Sequence, residues 1–153
     1  MCIRDRFHSS SGGMTENSQD VWKNEYPYLS SVRDFDRNNP KLQWKKKFSS
    51  GELQKLFPEI GGIKKIEILN ITNTGRVKNV KIFGKYGSDQ ISGVDIRKRM
   101  NLKSTFMRFK FIEDKKYISD NDNSNIPIEK TLIVFGQGSG HGVGMSQWGA
   151  RYM

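Results

Sequence analysis

Between Gly136 and Gly144, in the stretch "GQGSGHGVG", glycine occupies every second position before the chain turns to Met145-Ser146-Gln147-Trp148. Glycine admits positive φ and close backbone approach, at an entropic cost that makes a periodic run of it unusual. Five at period two imply a tight bend or something large passing alongside. If the segment is extended, Gly136, Gly138, Gly140, Gly142 and Gly144 share one bare face, while Gln137, Ser139, His141 and Val143 point the other way. A polymer or a neighbouring strand can then lie against the bare face. "TLIVF", Thr131 to Phe135, reads as a buried strand feeding the segment, and "SQWGARYM" as the start of a helix capped by Ser146. Backbone N–H groups near Ser146 and Gln147 then aim into the same region, where a polar or anionic group is well held.

Two phosphate-binding motifs are excluded by spacing. G-x-G-x-x-G fails in every register, because His141, Val143 and Met145 stand where the third glycine belongs. A phosphate loop needs Gly-Lys-Ser or Gly-Lys-Thr, and Gly144 is followed by Met145.

The rest of the chain predicts a mixed fold. "LQWKKKF" suits a short strand, and "SSGELQKLF" a helix capped by Ser49 or Ser50, with Glu52 in its first turn and Pro58, Gly61 and Gly62 ending it. "IKKIEILNIT" and "VKNVKIFG" are extended runs joined by Asn73-Thr74-Gly75-Arg76, a hairpin signature. "SGVDIRKRM" predicts a short helix capped by Ser92, and "TFMRFKFI" a strand that buries Met107, Phe109 and Phe111. Trp22, Tyr26, Tyr28, Leu29 and Val32 can seat an irregular segment on the core. "SDNDNSN" reads as a surface loop. The fold class is α+β, a largely antiparallel sheet with a few short helices in a single domain.

The 153 residues are 35% hydrophobic, enough for one modest core, and no apolar run approaches the roughly 20 residues that span a bilayer. A formal net charge of +10 favours an anionic partner, whether nucleic acid, an acidic lipid surface or a wall polymer. No helix-turn-helix, zinc-finger or aromatic RNA-binding signature supports nucleic acid. Cys2 is the sole cysteine, so neither a disulfide framework nor a thiolate metal site is expected. The opening "MCIRDR", residues 1–6, resembles translated sequencing adapter and is set aside. Residues 7–153 read as a domain truncated at both ends.

The string "GHGVGMSQWGA" resembles the signature of the stage II sporulation protein D family, also called the amidase enhancer or SpoIID/LytB domain. "FHSSSGGMTENSQDVW" followed by "PYLSSV" resembles the family's central block in content and order. "GRVKNVKIFG" and "SGVDIRKRMNLKST" resemble the segments between.

This resemblance implies action on peptidoglycan outside the cytoplasm, in the cell wall or periplasm. One branch of the family consists of lytic transglycosylases that cut glycan strands stripped of stem peptides; other relatives enhance cell-wall amidases. A non-catalytic wall-binding or amidase-enhancing module is therefore the alternative. The cut needs a carboxyl group that acts as acid and then as base. The family's glutamate belongs to a block upstream of the histidine-serine-glycine segment, so no catalytic residue is expected here and the fragment alone should be inactive. Glu16 reads as a polar-turn residue and Glu52 as a helix-start residue.

The expected substrate-binding residues are His141, Gly142, Gly144, Ser146 and Gln147 with His8, Ser10, Ser11 and Tyr28. For His141, a hold on backbone carbonyls of the bend stands beside a sugar contact; for Ser146, the helix cap comes first. Arg76, Arg97 and Arg151 can face muramic acid carboxylates, although exposure is the default for arginine. Serines stand where some relatives place zinc ligands, so no metal and no cofactor are expected.

Overall fold

The computed structural model of the chain describes residues 6–114 and 129–153. Its strands are β1 (Phe7–His8), β2 (Gln43–Phe48), β3 (Lys65–Ile71), β4 (Val77–Phe83), β5 (Ser88–Ser92), β6 (Met107–Asp114), β7 (Glu129–Gln137) and β8 (Met145–Ser146); its helices are α1 (Ser18–Val21), α2 (Ser50–Leu56), α3 (Gly93–Arg99) and α4 (Gln147–Tyr152). The class is α+β as the sequence predicts. The antiparallel strands, however, form two three-stranded sheets rather than one, in the orders β2-β7-β6 and β3-β4-β5. A third, parallel ladder pairs β1 with β8. The segment "SDNDNSN" lies outside the described residues.

Alternation explains the first sheet. Trp44 and Phe48 of β2 and Met107 of β6 turn inward beside Leu132 and Val134 of the central strand β7. The second sheet adds Val80 and Ile82 from β4, and the helices add Leu53, Ile96 and Met100, all in one apolar cluster. Complete burial of a side chain of this size stabilises by about 1.5–3 kcal/mol. None of the described helices is long and apolar enough to cross a membrane.

Both predicted interior helix caps form. Ser49 Oγ accepts from the Glu52 N–H at 3.3 Å while Glu52 Oε2 accepts from the Ser49 N–H at 2.8 Å, a reciprocal capping box. Ser92 Oγ accepts from the Asp95 N–H at 3.0 Å. At Gly93 the helix passes so close to the Val77 carbonyl that a Cβ has no room. That contact brings α3, with Arg97, against the end of the β3–β4 hairpin, where Arg76 sits.

The segment 22–32 seats less of itself than its sequence predicts. Leu29 is buried, but Tyr28 and Val32 are more than half exposed. The segment is held instead by turns bonded through backbone and hydroxyl groups.

Candidate functional site

The glycine segment is not an extended ribbon. Gly138, Gly140, Gly142 and Gly144 all have positive φ, between 74° and 109°, so the strand ends at Gln137 and a series of left-handed bends follows. What fills the space beside them is the chain itself. A Cβ on Gly138 would stand 2.7 Å from the Ser10 carbonyl, one on Gly140 2.8 Å from His8 Cβ, and one on Gly142 2.6 Å from Arg76 Nη2. Gly144 abuts the Arg6 carbonyl. Of the two neighbours the sequence allowed, it is the chain that lies there, through Arg6, His8 of β1, Ser10 and the Arg76 side chain.

Backbone bonds hold the two segments together. Ser10 and Ser139 exchange N–H···O bonds at 3.1 and 2.7 Å, the Glu16 N–H donates to the Gly142 carbonyl at 2.8 Å, and the Met145 N–H donates to the Arg6 carbonyl at 2.9 Å. Arg6, set aside on sequence grounds, thus contributes to the fold, and its guanidinium lies 4.6 Å above the Trp22 ring.

This junction carries a buried polar cluster. Glu16, read from sequence as a polar-turn residue, is 0% exposed. Its Oε2 accepts from Thr72 Oγ1 at 2.6 Å and Thr74 Oγ1 at 2.5 Å and lies 3.7 Å from Arg76 Nε. Arg76, for which exposure is the default, is only 2% exposed. Its Nη2 donates to the Ser11 carbonyl, and its guanidinium packs on Gly142. The sequence names Arg76 as a candidate but shows the burial of neither residue, because that burial depends on a contact between the first polar block and the distant β3–β4 turn.

A cavity of about 250 Å³ opens beside this cluster. Glu16, Trp22, Arg76, Arg97 and His141 line it, with Asp20, Lys78 and Lys98 among its other walls. Lys78 and Lys98 are exposed, so the cavity reaches the surface. The carboxylates are committed: Glu16 as above, Asp20 to Lys78 at 3.0 Å. Arg76 Nε and Nη1 and Arg97 Nε are buried without a hydrogen-bond acceptor among the described residues.

The two histidines meet here, ring centroids 5.6 Å apart, with Trp22 5.1 Å from His141. His141 Nδ1 accepts from the Val143 N–H at 3.1 Å, so a neutral ring carries its proton on Nε2. Burial lowers its pKa below the ordinary value; Arg97 acts in the same sense, and the Phe7 backbone carbonyl opposes it. His8 is 4% exposed and its Nδ1–H donates to the Val143 carbonyl at 3.2 Å. Desolvation pulls its pKa down to about 4, against that bond. Both imidazoles are therefore neutral at pH 7.

Other expected site residues are placed elsewhere or already engaged. Ser10 Oγ donates to Asp36 and Ser11 Oγ to Asp34, both at 2.5 Å, and both serines are buried. Ser146 Oγ accepts from the Gly149 N–H at 3.0 Å, which is the predicted cap. Gln147 is exposed and does not line the cavity, and Tyr28 pairs with Tyr26 at 5.8 Å, away from it. Gly142 and Gly144 supply room, one for Arg76 and one for Arg6. Of the nine expected substrate-binding residues, His141 alone lines the cavity, with His8 against it; of the three arginines offered for carboxylates, Arg76 and Arg97 line it too.

No family model matches the chain. Among curated proteins it is 34% identical over 154 residues to stage II sporulation protein D of Bacillus subtilis (strain 168) and 33% identical to stage II sporulation protein D of Bacillus amyloliquefaciens; both alignments take in 99% of this chain and 39% of the relative. An uncharacterized protein of Brachyspira hyodysenteriae is 27% identical, over 99% of this chain and 38% of that protein. The chain spans about two fifths of the length of these relatives. The two motif blocks that build the glycine bend and its partner segment lie within the matched region, and this similarity over 99% of the chain supports the stage II sporulation protein D family.

Proposed function

We propose that this chain is the glycan-binding part of a sporulation-related bacterial protein that acts on peptidoglycan outside the cytoplasm, as a lytic transglycosylase for strands stripped of stem peptides. The observation that carries this reading is the cavity, where an aromatic ring, Trp22, and a neutral imidazole, His141, stand beside buried guanidinium N–H groups. Sugar rings offer C–H faces to aromatic surfaces and polar substituents to such donors.

The carboxylates of the cavity do not supply the acid. Every hydrogen bond of the Glu16 carboxylate is one in which it accepts, from two threonine hydroxyls and the Asn17 N–H, with Arg76 alongside. Asp20 pairs with Lys78. We assign the proton-donating carboxyl to another part of the full-length protein, with these residues holding the strand. The same observation favours a second reading, a wall-binding module that works with a cell-wall amidase.

Cleavage of stem-free glycan strands by the full-length protein tests the assignment. His141→Ala is expected to lower turnover because it removes a cavity wall, while Gln147→Ala, outside the cavity, should have the smaller effect. Unchanged turnover in His141→Ala removes the cavity from the reaction. Glycan binding without cleavage by the full-length protein favours the module.

A further inference from the structure

The geometry points to the cavity between Arg76 and Arg97 as a carboxylate-recognition subsite, which takes the free lactyl carboxylate of a muramic acid residue. This rests on the glycan reading above and names the part of the glycan that is read.

Charge is the first observation. Four cations and two carboxylates line the cavity. Glu16 is engaged with Arg76 and Asp20 with Lys78, which leaves Arg97 and Lys98 with no carboxylate partner among the described residues. Arg6, whose guanidinium lies over the ring of the cavity residue Trp22, adds a third positive group nearby. Asp36 lies near enough to act on Arg76; its Oδ2 is shared by Ser10, Ser11 and the Gly12 N–H, and its Oδ1 has no hydrogen-bond partner among the described residues. A surplus of positive charge remains after these pairings.

Unmet hydrogen bonding is the second. Arg76 is only 2% exposed, yet among the described residues Nη1 has no acceptor and Nε has only the 3.7 Å approach of Glu16. Arg97 Nε is likewise buried and unpartnered. A buried guanidinium donor without an acceptor is costly, and an anion that accepts from it is correspondingly favoured. Burial lowers the pKa of both arginines from the ordinary value, and at Arg76 the carboxylates of Glu16 and Asp36 oppose that shift.

Size selects the ligand. A volume of about 250 Å³ falls below the roughly 300–1,000 Å³ of sites that enclose a drug-sized molecule. It suits one charged substituent of a sugar, with the ring against Trp22 and His141 at the mouth. A muramic acid residue carries its carboxylate on a short lactyl arm. When a stem peptide is attached that carboxylate becomes an amide and loses its charge, so the same subsite discriminates stripped from substituted strands.

Calorimetric titration of the purified protein with N-acetylmuramic acid, N-acetylglucosamine, lactate and inorganic phosphate tests this. N-acetylmuramic acid is expected to bind about tenfold or more tighter than N-acetylglucosamine, the scale of a charge-assisted hydrogen bond. Arg97→Gln should abolish the difference with the melting temperature held, and Arg97→Lys should restore part of it. Arg97 is chosen because Arg76→Gln strikes the core. Equal binding of the two sugars, or phosphate bound more tightly than lactate, overturns the subsite. Lactate held through Arg97 while both sugars are refused overturns the sugar assignment and the glycan reading with it. Stem-free glycan bound equally by the wild type and Arg97→Gln overturns the carboxylate subsite and leaves the glycan reading standing.

Discussion

Glu16 and Arg76 face each other in the interior, Oε2 to Nε at 3.7 Å, with side-chain exposures of 1% and 2%. This pair fastens the first polar block to the β3–β4 turn and so fixes the floor of the cavity. Removing one member of a buried pair leaves the other charge uncompensated, at a cost of about 3–5 kcal/mol. Glu16→Gln, which keeps the shape, should lower the unfolding free energy by that order in urea denaturation. The double variant Glu16→Gln with Arg76→Met should lose less than the two single changes added together.

Gly142 is where the backbone makes room for that arginine. Its φ of +85° disfavours any L side chain, and a Cβ would lie 2.7 Å from Arg76 Cζ. Gly142→Ala is expected to destabilise by about 1–3 kcal/mol from the backbone alone, and more from the collision. Gly51→Ala, whose Cβ meets nothing within 4 Å, is the matched control in a thermal melt.

Acid should weaken the fold through His8. The folded ring takes its proton only near pH 4, whereas the unfolded ring takes it near 6.5. As pH falls the unfolded chain is protonated first, so the stability present above pH 6.5 declines between 6.5 and about 4 and then levels off. The loss attributable to His8 is at most about 3 kcal/mol. His8→Gln should flatten this part of the profile of unfolding free energy against pH; an unchanged slope between pH 4 and 6.5 would show that the ring does not control it.

The Ser49–Glu52 capping box lies on α2, away from the cavity residues. Ser49→Ala should cost about 1 kcal/mol of stability while leaving the affinity for stem-free glycan unchanged. A parallel loss of binding would show that global stability, rather than the cavity, sets affinity.

The fold was legible where local pattern sufficed. Ser49, Ser92 and Ser146 announce their helices by cap chemistry, and the alternation around Met107 and Trp44 gives the strands of the first sheet. The site was less so. Period two among the glycines suggests an extended ribbon, but the same residues equally permit left-handed bends, and only the opposing Ser10–Glu16 backbone decides between them. Nothing local marks Glu16 or Arg76 as buried, since each is compensated by the other across the fold. His141 is legible because it sits inside a long motif; the sequence offers Trp22 as a residue seating a segment on the core, and its place on the cavity wall follows from contacts with His141 and Arg6.

The central claim is that stem-free glycan occupies the cavity walled by Trp22, His141 and Arg97. Titration of the ¹⁵N-labelled protein with stem-free glycan, followed through the indole N–H resonances, tests it most directly. The Trp22 resonance should move in a saturable way while that of Trp44, buried in the core at 8% exposure, stays fixed. Saturable shifts confined to the separate groove formed by Gln43, Phe106 and Phe135, with Trp22 unmoved, would contradict the account.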